Sequence, residues 1–488
     1  MLRKDYIITK GGHYMNELFI NGQFVESNST NKLEVINPVT EEIIDTITLS
    51  NENDTKKAIN GAKEAQLKWE QVNIVKRAKI VQDLAEQLEK NKNELAGIYV
   101  KEQGKPLYAA ISEIEKSIEY INYMCSLARK NNGEVLQSEV ENETIILTKK
   151  PVGNTAGIIP WNAPIFVLMR KLIPALVTGC SIVIKPSEET PFGAFKIAKY
   201  IQKTDIPNGL VQIITGTGSE VGNLLSQSED IDLISITGST GAGKSVMASA
   251  ANNVKGVNLE LGGKAPAIVT KNADIEKAAS YIVQARINNS GQVCTCPERI
   301  YVSKDIFDEF ITLVKDKMNK VQPGDPYDKD TTMGPIINHK QLDSINEKVQ
   351  TAVAEGATIE LGGHIIDRKG FFYKPTILTN LSKDSIVMKE EIFGPVLPIV
   401  SFENFEEVLD EANNSDYGLS SYIFTENLKE AMLASERLKF GEVYVNCEAE
   451  EAIVGYHAGW RQSGLGGADG VNGFEEYLNT TVTYIRYE

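Results

Sequence analysis

Histidine is scarce in this chain: four residues in 488, His13, His339, His364 and His457. None pairs at HxxxH or HExxH spacing, which argues against a metal site built on histidine, and no metal is expected. Cysteine is also sparse. Cys125, Cys180, Cys294, Cys296 and Cys447 are odd in number and widely spaced. They form no disulfide framework and suit a reducing, cytoplasmic setting. Positive charge is in deficit, with 50 Lys and Arg against 66 Asp and Glu, a net charge of -16. Such a field repels phosphate backbones and argues against a general binder of nucleic acid or anionic membranes. There is no long apolar run. The longest, Ala156 to Met169, is broken by Pro160, Asn162 and Pro164 and ends at Arg170-Lys171, too short to span a bilayer. The first residues contain no apolar segment of the signal-peptide kind, and Met15 opens the readable part, so residues 1–14 read as an extension. Repeats and low-complexity tracts are absent.

What remains is an ordinary globular composition, 42% hydrophobic and 24% charged, long enough for two to four domains. LFINGQFV at 18–25 predicts a hairpin turning at Asn21-Gly22. Ile80, Val81, Leu84 and Leu88 share one face at a 3.6-residue period, and 55–70 and 108–130 read similarly, so the rest of the first 150 residues is mostly helical. Beyond 150, β-rich runs alternate with helical stretches: NTAGIIP, SIVIKPS, VQIITG, LISITGS and KAPAIVT. This is the pattern of a parallel sheet with crossover helices, in which ligands sit beyond the carboxyl ends of the strands. A second β/α series follows, with RIYVS (299–303), a helix near 305–321 and SIVMKEEIFGPVLPIV (385–400). The last stretch, 480–488, alternates like a strand and, lacking a neighbour in sequence, is expected to pair with a partner subunit.

Several segments carry chemistry. In SGQVCTCPERI, Cys294 follows polar residues rather than Val or Leu, which tilts it from the usual buried-hydrophobe role towards a reactive thiol. Cys296 completes a CxC pair too strained for a disulfide and reads as structural or redox-protective. Glu260, in NLELGGK, is either ion-paired with Lys264 or a general base whose pKa is raised by partial burial, and a firm Glu260–Lys264 bridge would count against the second role. Asn162, between two prolines, either stabilises its own turn or holds an amide N–H for an oxyanion. KPSEETP places Lys185 and Glu188 at a strand end, where a carboxylate favours NAD over NADP, or where the two form a solvated surface pair. ITGSTGAGKSV matches the phosphate-loop pattern over Gly238–Ser245. The same loop also suits a dinucleotide pyrophosphate at a helix N-terminus, or binds nothing. No hydrophobic strand ending in Asp is evident to hold magnesium for an NTPase.

Taken in order, PWN, KPSE, TGS, ELGGK, GQVC and EEIFGP resemble the aldehyde dehydrogenase superfamily over essentially the whole chain. GQVCTCPERIYV (291–302) and YHAGWRQSGLGGADG (456–470) are similar to its lactaldehyde and glycolaldehyde dehydrogenase branch. The resemblance implies an α/β fold in three parts: a Rossmann-like NAD-binding domain (1–131 and 152–261), an α/β catalytic domain (262–455) and a small β oligomerisation arm (132–151 and 470–488). It implies Cys294 as nucleophile, Asn162 and the Cys294 N–H as oxyanion hole, and Glu260 as the base that activates water. It further implies cofactor contacts from Trp161, Lys185, Ser187, Glu188, Gly238, Ser239, Gly243, Glu391 and Phe393. Arg170, Glu451 and His457 match residues that contact a short hydroxyaldehyde. Each also has a plainer reading, as a helix-surface charge, a solvated acid and a core histidine respectively. The implied reaction is NAD-dependent oxidation of a small aldehyde by a homo-oligomer, dimer or tetramer. Succinate-semialdehyde oxidation, using Arg170, is the alternative within the class, and a P-loop NTPase is the alternative outside it.

Overall fold

The computed structural model describes residues 17–130, 133–448 and 450–487. Residues 1–16, which include His13 and the stretch read as an extension, and Ala449 in the acidic loop lie outside them. Four sheets organise the described residues. The first has eight strands in the order Gly464–Leu465, Gly256–Glu260, Leu233–Thr237, Asn154–Ile158, Ser181–Lys185, Val211–Ile213, Glu17–Ile20 and Gln23–Glu26. Its central five are parallel and the remaining strands antiparallel. The hairpin at the far edge turns at Asn21 (φ 54°) and Gly22 (φ 77°), the left-handed pair that two-residue hairpins require.

The second sheet has seven strands, in the order Thr358–Leu361, Thr376–Thr379, Val396–Phe402, Pro297–Ser303, Ala265–Val269, Ser420–Phe424 and Glu442–Val445. The run KAPAIVT, read with the first β/α series, belongs here instead. The chain passes from one sheet to the other in four residues. Glu260 ends a strand of the first, Leu261–Lys264 cross over, and Ala265 begins a strand of the second. The periodicity of 264–270 is the same for either sheet, so only tertiary pairing could assign it.

Helices cover the parallel strands on both faces, as crossover connections demand. The helix Pro164–Thr178 is buried along its whole length. Proline at its first turn and Gly179 (φ 107°) just past its end punctuate it. Two cations, Arg170 and Lys171, interrupt its apolar residues and are themselves buried. Such charges persist inside only when paired, so their position already implies acidic partners.

The third sheet stands apart: Leu478–Arg486, Glu143–Pro151 and Glu134–Gln137, all antiparallel. The carboxy-terminal strand was expected to seek a partner subunit. On one edge it pairs with residues 143–151 of its own chain over its whole length, and its outer edge stays open. Among the described residues no helix is long and apolar enough to cross a membrane, and all five cysteines are free thiols.

Candidate active site

The carboxyl ends of the first sheet face the amino ends of the second. Strand ends at Ile158, Lys185, Thr237 and Glu260 supply one wall. The other comes from the segments just before two strands of the second sheet: residues 291–296 before Pro297–Ser303, and 391–395 before Val396–Phe402. Two cavities lie between the walls, of about 650 and 270 Å³. They share Asn162, Thr237, Leu261 and Cys294, so Cys294 stands at the junction of two chambers.

The smaller chamber is lined by Pro160, Trp161, Gly238, Ser239, Gly262, Glu391 and Phe393, among others. Trp161 and Phe393 meet edge to face, centroids 5.4 Å apart. Ser239 caps the helix Thr240–Ala250 by accepting the Ala242 N–H, which leaves the free N–H groups of a helix start beside the chamber. Glu391 accepts the Gly263 N–H at 3.0 Å. Burial and the nearby Glu298 carboxylate push its pKa up to about 7. Lys185 and Glu188 are 3.3 Å apart at the end of the neighbouring strand. They are not a solvated surface pair: Lys185 is buried, and its Nζ also donates to the Gly216 and Pro186 carbonyls. Ser187 is buried beside them, its Oγ accepting the Glu189 N–H.

The phosphate-loop match fails on geometry. The helix begins at Thr240, so Gly243, Lys244 and Ser245 lie within it. The Gly243 N–H is spent on the Ser239 carbonyl, and a Cβ there would collide with Leu261, so Gly243 packs the helix against the crossover rather than facing the chamber. Lys244 donates to Gln462 at 2.8 Å.

The larger chamber is ionic. Arg170 is bonded to both oxygens of Asp469, 3.0 Å from Oδ1, and to Glu451 at 2.6 Å. Its guanidinium also lies over the Phe166 ring, 4.6 Å from the centroid. It is therefore no surface charge, and Glu451 is no solvated acid: Thr295 Oγ1 donates to its second oxygen at 3.1 Å. His457 is buried, with Nδ1 3.0 Å from Glu442, and its ring interacts with the Cys294 thiol. Burial would depress its pKa, but Glu451, Cys294 and Glu442 outweigh burial and raise it well above the ordinary value. Burial lifts the Cys294 thiol above its ordinary 9.0, a rise that His457 moderates.

Glu260 departs from expectation. Lys264 does not bridge to it but to Glu298, at 2.7 Å. Glu260 instead lies 3.4 Å from Lys171 and accepts the Thr237 hydroxyl at 3.1 Å. Burial would raise its carboxyl, as expected from the sequence, but Lys171, Arg170 and His457 together hold it below the ordinary carboxylate value. It is therefore ionised at neutral pH and able to accept a proton.

Asn162 does not serve its own turn. One amide N–H donates to the Gln292 carbonyl at 3.0 Å, across to the Cys294 loop. Its backbone carbonyl accepts Asn289 Nδ2 at 3.0 Å. A primary amide has two N–H groups, so one remains for a ligand. Cys296 is buried behind Cys294, donating to the Val293 carbonyl and accepting from Arg286 at 2.9 Å.

Sequence reading missed Lys171, Thr237, Asp469, Glu298 and Lys348. One signal was available: two adjacent cations inside LMRKLIP, an otherwise apolar helix, call for buried acids.

The aldehyde dehydrogenase family model matches residues 24–483. A lactaldehyde dehydrogenase of Escherichia coli is 44% identical over 96% of this chain and 98% of its own length. Its crystal structure superposes with a TM-score of 0.95, covering 96% of this chain and 99% of that one. A D-glyceraldehyde dehydrogenase (NADP(+)) of Picrophilus torridus is 37% identical over 96% of each chain. A mitochondrial succinate-semialdehyde dehydrogenase of Arabidopsis thaliana is 36% identical over 94% of this chain and 87% of its own.

Proposed function

The chain belongs to the aldehyde dehydrogenase family, and from that premise we propose that it oxidises short 2-hydroxyaldehydes, of the lactaldehyde or glycolaldehyde kind, with NAD as hydride acceptor. The observation that carries this reading is Cys294 at the meeting of two chambers, one walled by backbone and aromatic rings, the other by paired charges.

The residues around the smaller chamber suit a dinucleotide. Gly238 and Ser239 place a helix start there, Trp161 and Phe393 offer apolar faces, Glu391 offers a carboxylate for a ribose hydroxyl, and Glu188, past the end of the neighbouring strand Ser181–Lys185, offers a second outside the chamber. Glu188 repels a 2′-phosphate, although its charge is shared with Lys185; that balance favours NAD over NADP. When bound, the nicotinamide accepts the hydride that leaves the substrate carbon.

The chain performs the remaining tasks. The Cys294 thiolate adds to the aldehyde carbon, because a bare aldehyde has no route for hydride to leave until a nucleophile has added. The free N–H of Asn162 and the Cys294 backbone N–H face the resulting oxyanion, worth a few kcal/mol each by typical measure. Loss of hydride leaves a thioester on Cys294. Glu260 takes the proton of the water that hydrolyses it, and Lys171 with Thr237 keeps that carboxylate oriented.

The larger chamber decides the substrate class. Arg170 already faces two carboxylates, and Glu448, Glu450 and Glu451 line the same space. A substrate carboxylate would find its cation neutralised and an acidic wall nearby, which speaks against succinate semialdehyde. A neutral 2-hydroxyl adds no charge to this wall and can bond Glu451 or His457, which line the same space. The two open edges of the third sheet, with Val482 and Tyr484 exposed on one edge strand and Val135 on the other, suit pairing between subunits in a dimer or tetramer.

Absorbance growth at 340 nm with a panel of aldehydes and both nicotinamides tests this reading. L-lactaldehyde or glycolaldehyde with NAD should give the highest kcat/KM. Faster turnover of succinate semialdehyde would overturn the substrate class, and preference for NADP would overturn the cofactor.

A further inference from the structure

Three short segments meet behind Cys294: the crossover 260–264, the nucleophile loop 291–298 and the segment 391–395. They touch so closely that side chains are excluded. A Cβ at Gly263 would strike the Cys294 carbonyl oxygen, and one at Gly291 would strike the Gly394 carbonyl oxygen. Glycine–backbone contact of this kind fixes spacing but not orientation, because it carries no directional bond.

The direction comes from Glu298. This carboxylate is buried two residues past Cys296, at the second position of the strand Pro297–Ser303. One oxygen accepts Arg286 at 2.9 Å and the other Lys264 at 2.7 Å. The same oxygens accept the Ile392 N–H at 2.8 Å and the Phe393 N–H at 2.9 Å. Arg286 in turn donates to Cys296. Phe393, whose ring meets Trp161 in the smaller chamber, is held at φ 53°. A non-glycine residue persists in that region only when its surroundings over-determine it. Here they do: Glu298 holds the N–H groups, Gln341 Nε2 donates to the Phe393 carbonyl at 3.0 Å, and Lys348 Nζ donates to the Glu391 carbonyl at 2.6 Å.

We infer that Glu298 is a positioning residue that sets the cofactor-facing segment 391–393 relative to the nucleophile loop, with Lys264 and Arg286 holding its carboxylate in place. It touches neither substrate nor cofactor and acts through Glu391 and Phe393. The two cations outweigh burial and hold its carboxyl down at about 2, so it stays an anion and an acceptor for both N–H groups over the working pH range. The inference rests on the proposed placement of the nicotinamide in the smaller chamber.

Two full-length variants test it. Glu298→Asp keeps the charge that neutralises Lys264 and Arg286, so the fold is retained, but withdraws the oxygens by one methylene. Glu298→Gln keeps the length and removes the charge. For each, NADH affinity is measured by fluorescence, the isotope effect on kcat with an aldehyde deuterated at C1, and cofactor-free hydrolysis of p-nitrophenyl acetate, which needs Cys294 but no hydride acceptor. Expected are NADH binding weakened by about tenfold or more, a primary isotope effect larger than in the wild type, and ester hydrolysis within about threefold of it. Ester hydrolysis falling in step with oxidation would reduce Glu298 to a general structural role and overturn the inference. So would NADH affinity and isotope effect both unchanged. A wild type that binds NADH but oxidises no aldehyde sinks the underlying reading instead, and the NADH affinities of the two variants then decide this one alone.

Discussion

The two chambers that meet at Cys294 are built by opposite means. The smaller is made of strand ends, a helix start and close backbone contacts, with few charges facing it. The larger is made of side chains that neutralise one another: Arg170 with Asp469 and Glu451, Lys171 with Glu260, His457 with Glu442. Backbone geometry depends little on which side chain sits nearby, so the first chamber suits one constant ligand. An ionic wall responds to every substitution and to pH, so the second is where specificity can vary.

Replacing the shared residue should stop the reaction that joins the two chambers. Cys294→Ala is expected to lower oxidation by on the order of a thousandfold or more, with NADH affinity retained. A steady-state assay at 340 nm beside a fluorescence titration separates the two. Loss of cofactor binding as well would mean the thiol supports the smaller chamber's structure. On the ionic side, Arg170→Met leaves Asp469 and Glu451 buried and unpaired. That should cost about 3–5 kcal/mol in thermal or denaturant unfolding, whereas an unchanged melting temperature would show the wall to be wetter than its burial implies. Glu260→Gln should slow thioester hydrolysis by roughly a hundredfold or more and expose a burst of NADH before the steady state.

The sign of the pH response follows from the same contrast. Because burial lifts the Cys294 thiol above its ordinary value, kcat/KM should climb with pH through the neutral range as the thiolate forms. Stability should move differently. Glu260 and Glu451 are held below the ordinary carboxylate value, so what they contribute is present above it and is lost as pH falls through their lowered folded values. His457 is raised, so its contribution is full below its ordinary 6.5 and is lost as pH rises through its folded value. Unfolding measured across pH should therefore show the wall weakening at both ends. The smallest effect expected is from Cys296→Ala, about 1 kcal/mol for its bond with Arg286, with most dehydrogenase turnover retained.

The same division governs what could be read from the sequence. The strand-and-helix alternation, the hairpin and the segments PWN, TGS, ELGGK and GQVC were legible because each is a local pattern: a turn, a helix start or a strand end lies within a few residues of the group it positions. The ionic wall was not. Arg170 meets Asp469 across 299 positions, and Lys171 meets Glu260 across 89. No period or spacing encodes such a pair, so the sequence left Glu260 either ion-paired with its neighbour Lys264 or a base with a raised pKa, and the structure shows neither. The same limit put KAPAIVT, read by alternation alone, with the first sheet, and hid that the last strand pairs with residues 143–151 of its own chain, since strand pairing is a matter of tertiary register.

The four-residue crossover has a mechanical consequence. Glu260 is anchored to one sheet and Cys294 to the other, so the gap between the proposed proton acceptor and the proposed acyl carrier belongs to neither body alone. A slight shear of the two slabs would retune deacylation with no atom of either group replaced, and an inhibitor wedged far from the thiol could stall the enzyme by prising them apart.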